Sequence, residues 1–140
     1  MRHALWATVV ITASVAGCGR GGPEIVPIEG TVTYNGEPVP NLRIYFIPTE
    51  GRFSWAISDQ NGHFVLDYDP ERHGAKVGPH TVTVQDAGAN VDPTAAMSGA
   101  PRPKTSPAIA KLTEKYGNKD TSPLKVEVKK ADRNFQLKLD

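Results

Sequence analysis

Residues 28–48 read Ile28-Glu29-Gly30-Thr31-Val32-Thr33-Tyr34-Asn35-Gly36-Glu37-Pro38-Val39-Pro40-Asn41-Leu42-Arg43-Ile44-Tyr45-Phe46-Ile47-Pro48, and this stretch decides the fold. Successive side chains of a strand point to opposite faces, so Ile28, Gly30, Val32 and Tyr34 share one face and Glu29, Thr31 and Thr33 the other. Asn35-Gly36 then supplies a hairpin turn, since both residues tolerate positive φ. Leu42, Ile44 and Phe46 repeat the alternation, and Pro48, with no N–H to give a ladder, closes the strand.

The same period continues downstream. Phe53 to Ser58 reads as a third strand, and Asp59-Gln60-Asn61-Gly62 is a tight turn into a fourth, where Phe64 and Leu66 alternate with His63, Val65 and Asp67. Gly78-Pro79 opens a fifth, with His80, Val82 and Val84 on one side and Thr81 and Thr83 on the other. Leu124, Val126 and Val128, then Phe135, Leu137 and Leu139, mark the last two. About seven short strands with no helix between consecutive ones predict an all-β chain, an antiparallel β-sandwich rather than a parallel sheet.

Residues 87–122 break the pattern and form one long loop. Its first half, AGANVDPTAAMSGAPRPKT, has no periodicity and is expected to be mobile. Its second half is expected to carry a short helix. Ser106 caps it, Pro107 suits its first position, Ile109, Leu112 and Tyr116 fall on one face, and Gly117 ends it.

Upstream of the strands lies a different kind of segment. Met1-Arg2-His3 precedes an apolar run from Ala4 to Ala16, followed by Gly17-Cys18-Gly19, which has the parts of a secretory signal. The run falls short of the roughly 20 apolar residues that span a bilayer. Val15-Ala16-Gly17-Cys18 resembles the lipobox of bacterial lipoproteins. That resemblance implies thioether lipidation of Cys18, cleavage before it and acylation of its amine. One acyl chain binds a membrane only marginally, so two or more are what makes the anchor stable. The expected organisation is therefore a signal peptide over 1–17, a lipidated Gly/Pro-rich tether over 18–27 and the β-sandwich over 28–140.

Cys18 is the only cysteine, which removes any intrachain disulfide, and the 140 residues carry 16 Lys+Arg against 15 Asp+Glu. That balance gives no reason to expect a nucleic-acid partner. The expected partners are the membrane, through lipid on Cys18, and an envelope protein or polysaccharide.

The strand sequences themselves carry a resemblance. Glu29 to Pro40 followed by Ile44-Tyr45-Phe46-Ile47-Pro48, Ser58 to Leu66, and Val77-Gly78-Pro79-His80-Thr81-Val82-Thr83-Val84 look like carboxypeptidase regulatory-like (transthyretin-like) domains. Ile109 to Leu124 and a final strand ending Asn134-Phe135-Gln136-Leu137 are similar to small lipoproteins built on that domain. The resemblance implies an Ig-like or prealbumin-like sandwich. It departs at His80, where the family more often has Tyr, and an imidazole is expected to half-bury there. Some transthyretin relatives hydrolyse a purine-derived ring and end in Tyr-Arg-Gly-Ser; this chain ends Leu137-Lys138-Leu139-Asp140. Outer-membrane placement is favoured over inner, because Gly19 rather than Asp follows the cysteine.

Motifs for catalysis are sparse. His63, His73 and His80 sit in no HExxH or Cys/His spacing, and no GxSxG occurs, so neither zinc nor a serine nucleophile is signalled and no cofactor is expected. Calcium takes about six to eight oxygens, whereas turn chemistry already accounts for Asp59 and Asn61. An enzyme would need polar groups converging in a pocket. Binding rests on Trp55, which shares a strand face with Phe53 and Ile57. An exposed aromatic row would stack on sugar rings, while general burial of large aromatics favours placing that face in the core. The reading is a non-catalytic, membrane-anchored interaction or spacer module; the alternative is a carbohydrate- or other ligand-binding module with Trp55 and the 87–122 loop in contact.

Overall fold

The computed structural model describes residues 21–89 and 105–140. Val15, Ala16, Gly17 and Cys18, and residues 90–104 within the aperiodic stretch, lie outside the described residues. The described chain forms β1 (Ile25–Val26), β2 (Ile28–Tyr34), β3 (Glu37–Pro38), β4 (Leu42–Pro48), β5 (Ser54–Ile57) and β6 (His63–Val65). Then come β7 (Asp67–Asp69), β8 (Arg72–His73), β9 (Ala75–Lys76), β10 (Gly78–Asp86), α1 (Pro107–Tyr116), β11 (Lys125–Val128) and β12 (Asp132–Leu139).

The fold is all-β with one short helix. One main sheet has the order β11-β10-β4-β5-β7-β8, the other has β12-β2-β3 with β6 also on β2, and β1 and β9 form a separate two-stranded sheet. Asn35 and Gly36, at φ 50° and 85°, turn β2 into β3 and pair Tyr34 with Glu37. Leu42, Ile44 and Phe46 of β4 and Val82 and Val84 of β10 are fully buried, and Ile28, Val32, Phe64, Leu137 and Leu139 meet them from the second sheet. Phe46 and Phe135 stack edge to face at 5.8 Å across this core.

Three features lie beyond the alternation. The fourth expected strand divides at buried Leu66 into β6 and β7, one in each sheet, so that segment is a corner where the chain changes layers. Ile25 and Val26, which the sequence reading counts with the tether, pair antiparallel with Lys76 and Ala75. Finally β12 runs parallel to β2, a correction to the wholly antiparallel expectation. Alternation tells which face of a strand is buried but carries no information on its direction.

At Gly30 the backbone of β12 passes close to β2. A Cβ there would lie 2.0 Å from the Phe135 carbonyl oxygen, beside a register shift between Asp132 and Phe135. Only a residue without a side chain admits that approach.

The helix forms where its signals lie. The Ser106 hydroxyl accepts from the Ile109 N–H at 3.2 Å, Pro107 takes the first turn, and Ile109, Leu112 and Tyr116 are buried. Gly117 follows with a right-handed φ of −77° and donates its N–H to Thr113, so the end is not a left-handed cap. α1 packs on β10. Tyr116 Oη donates to Asp140 Oδ1 at 2.5 Å, tying the helix to the end of β12.

Candidate functional site

The alternation of Phe53-Ser54-Trp55-Ala56-Ile57-Ser58 is resolved in the direction opposite to hydrophobicity. Ser54, Ala56 and Ser58 face the core and are buried, while Phe53, Trp55 and Ile57 are 45%, 37% and 42% exposed. This corrects the expectation that the aromatic face fills the core. The physical reason lies in the neighbours. Ser54 stands opposite Phe46 and Ala56 opposite Ile44, so β4 already fills the space that larger β5 side chains would need. The Ser58 hydroxyl is satisfied by backbone: Leu42 N–H donates to it at 2.9 Å and it donates to Val39 O at 2.6 Å. A small polar residue is thereby accommodated inside.

The outward face has an ordered arrangement. Trp55 is registered with Tyr45 on β4 and Asp67 on β7. Tyr45 and Phe53 meet edge to face at 5.4 Å, a favoured aromatic geometry. Beside Trp55 opens a cleft of about 280 Å³ lined by Arg52, Trp55, Asp67, Asp69, Pro70 and His73.

The β7–β8 hairpin builds the polar wall of that cleft. His73 Nδ1 lies 2.5 Å from Asp67 Oδ1; a carboxylate only accepts, so Nδ1 carries the proton and Nε2 is left for solvent or ligand. Arg72 donates from Nε and Nη2 to Asp69 Oδ2 at 2.9 and 2.7 Å, and Asp69 Oδ1 accepts the Glu71 and Arg72 N–H groups. The Arg72 hydrogen bond is the main reason the Asp69 carboxyl lies below its ordinary pKa. Arg72 also sits 4.8 Å over the Tyr68 ring. Arg52 also lines the cleft and has no ion pair among the described residues.

The histidines are separated by the fold. His63 is exposed on β6 in the other sheet, and His80 is buried on β10. His80 is only 2% exposed, deeper than the half-burial expected, with Nδ1 3.0 Å from Gly78 O and Nε2 unpartnered. Burial pushes its pKa below the ordinary histidine value, and the charge of Lys76 acts in the same direction. His73 departs from the sequence reading, which gave it no partner. Its meeting with Asp67 depends on a hairpin whose strands are too short to announce themselves.

The cleft wall holds a His–Asp pair, but among the lining residues no hydroxyl or thiol stands ready as a nucleophile. Asp59 behaves as turn chemistry predicts, accepting the Asn61 and His63 N–H groups at 2.8 and 3.0 Å. Among the described residues no three His, Cys, Asp or Glu side chains cluster to hold a metal ion, and no helix is long and apolar enough to cross a membrane. A larger hollow of about 650 Å³ runs between Tyr34, Val39, Ile57, Asp86, Ser106 and Ile109. Gly88 and Thr105 also line it.

No family model, curated protein or solved structure matches this chain.

Proposed function

We propose that this chain is an exported, lipid-anchored and non-catalytic module of the bacterial cell envelope, whose outer β5 face receives a partner. The observation that carries the binding role is the inverted strand. Three large apolar side chains stand outward while two serines and an alanine take the core positions. An exposed row of that kind on a folded domain marks an interaction surface more often than a fold requirement. The all-β architecture accords with the resemblance to carboxypeptidase regulatory-like domains and with an Ig-like or prealbumin-like sandwich, folds that serve many functions through grafted sites.

The anchor is read from Val15-Ala16-Gly17-Cys18. Thioether lipid and an acylated amine on Cys18 would hold the domain at the bilayer, in the outer membrane by the reading of Gly19. The test is the intact mass of protein extracted from membranes, with Cys18→Ala alongside. A mass corresponding to a start at Cys18 plus acyl chains, and release of the variant from membranes, is expected. A mature form without lipid overturns the anchor.

Ligand binding of the carbohydrate type is the second reading, favoured by the exposure of Trp55 beside a polar cleft. If Trp55 were the interaction centre, its truncation would abolish binding while leaving the fold intact.

A further inference from the structure

Resting on the reading of the outer β5 face as a binding surface, we infer that the Trp55 cleft holds a neutral pyranose unit of a polysaccharide. Three properties of the cleft select this ligand chemistry. The first is an aromatic ring in the lining: Trp55 stands exposed on a regular strand, registered with Tyr45 and Asp67, and offers a platform for the C–H face of a sugar.

The second is the polar wall. Asp67 is an acceptor already oriented by His73, and His73 and Arg52 line the same cleft. Asp69 already accepts four hydrogen bonds, from the Glu71 and Arg72 N–H groups and from Arg72 Nε and Nη2, so Asp67, bonded by its side chain to His73 alone among the described residues, is the carboxylate with lone pairs to offer. A vicinal diol needs this combination of fixed acceptors and donors around one apolar face. A purely apolar partner would leave these groups unpaired on desolvation.

The third is charge. Asp69 is paired with Arg72, and Asp67 shares the lining with Arg52, so both signs of charge are interspersed around the cleft. A uronic acid polymer would meet the two carboxylates, and a polyamine the two guanidinium groups. A neutral hexose or N-acetylhexosamine meets neither penalty. The cleft volume of about 280 Å³ suits one ring rather than an extended peptide.

With the signal removed, Trp55 is the only tryptophan, since the other of the two is Trp6, so its emission reports on this cleft alone. The experiment titrates the mature protein, purified from membranes in a sugar-free detergent, with cellohexaose, chitohexaose and mannohexaose, and with hexagalacturonate as the anionic counterpart. A saturable shift of Trp55 emission with at least one neutral oligomer is expected, with a dissociation constant on the order of 1 mM or tighter. By calorimetry, Trp55→Ala and Asp67→Asn should each weaken that binding by about tenfold or more. Trp55→Phe should keep most of it, and Val65→Ser, exposed on the other sheet, should leave it unchanged. Far-ultraviolet circular dichroism establishes that each variant is folded.

Absence of a shift with every neutral oligomer up to about 10 mM, a preference for hexagalacturonate, or binding that survives Trp55→Ala overturns the inference. A photo-crosslinking residue at position 53 separates the two levels. Crosslinks to an envelope protein without sugar binding would overturn the saccharide and leave the docking face standing. Neither crosslinks nor sugar binding would overturn both.

Discussion

β4 and β5 are neighbours in one sheet, paired from Arg43↔Ile57 to Phe46↔Ser54, yet they divide their side chains in opposite ways. β4 buries its aliphatic and aromatic residues, Leu42, Ile44 and Phe46, and turns Arg43, Tyr45 and Ile47 outward. β5 buries Ser54 and Ala56 and turns Trp55 and Ile57 outward. The alternation is equally regular in both. What differs is which phase meets a space already occupied. The lesson is that hydrophobic pattern assigns a strand its period, while the volume left by its neighbours assigns its phase. Where volume overrides hydrophobicity, the displaced apolar residues form a surface, and that surface is the candidate for function.

The comparison breaks first at its largest expected effect. Phe46→Ala removes the ring that stands opposite Ser54 and stacks on Phe135, and nothing small nearby can expand to fill the hole. The expected loss is about 3–5 kcal/mol of unfolding free energy, read by urea denaturation. A loss below about 1 kcal/mol would mean that β5 can rotate its large face inward, and the claim that volume sets the phase would fall.

Next comes the polar residue that holds β5 in its phase. Ser58→Ala leaves the Leu42 N–H without the hydroxyl it donates to, and Val39 O without its donor. One buried unsatisfied group costs about 1–3 kcal/mol, and the same denaturation measurement should find a loss in that range. Ser54 supplies the contrast, because its hydroxyl is buried without a partner. Ser54→Ala should therefore be neutral or stabilising, which sharpens the difference between a serine that binds backbone and one that merely fits.

How much of this was legible in the sequence follows from the same physics. The faces of β2, β4 and β10, the Asn35-Gly36 turn and the Ser106-Pro107 start of α1 depend on residues close in the chain, and each formed where its pattern lies. The phase of β5 depends on Phe46 and Ile44, fixed only once the strands are paired. The Asp67–His73 contact depends on the two-residue β8 folding back on β7, and the parallel β2–β12 ladder on a crossing between sheets. Trp55 was visible as a candidate, but its cleft partners were not, because no sequence spacing joins Arg52, Asp69 and His73.

His80 gives a pH-dependent test on the buried side of the sheet. Its pKa is lowered in the folded protein by burial, while the unfolded chain has the ordinary value of 6.5. The unfolded state therefore binds the proton more readily. Its contribution to stability is complete above pH about 6.5 and is lost as pH falls from there through the folded value. One group limits that slope to about 1.4 kcal/mol per pH unit. His80→Phe should flatten this part of the stability profile, read by urea denaturation at a series of pH values. An unchanged profile would contradict the burial of this imidazole on the inner face.

The smallest effect is the most discriminating, because it uses one substitution at two positions. Ile44→Thr and Ile57→Thr keep a β-branched side chain, so strand propensity changes little between them. At Ile44, which is 0% exposed, the new hydroxyl is sealed in the core and an apolar group is lost, for a cost of about 2–4 kcal/mol. At Ile57, which is 42% exposed, the hydroxyl meets water and the cost should be within about 0.5 kcal/mol. Measured by the same unfolding curve, a near-zero change at Ile57 with a large one at Ile44 means the outer row is not retained for stability. Comparable losses at both would mean that the outer face is covered, by another molecule or by the remainder of the chain, and that its apolar residues are core after all.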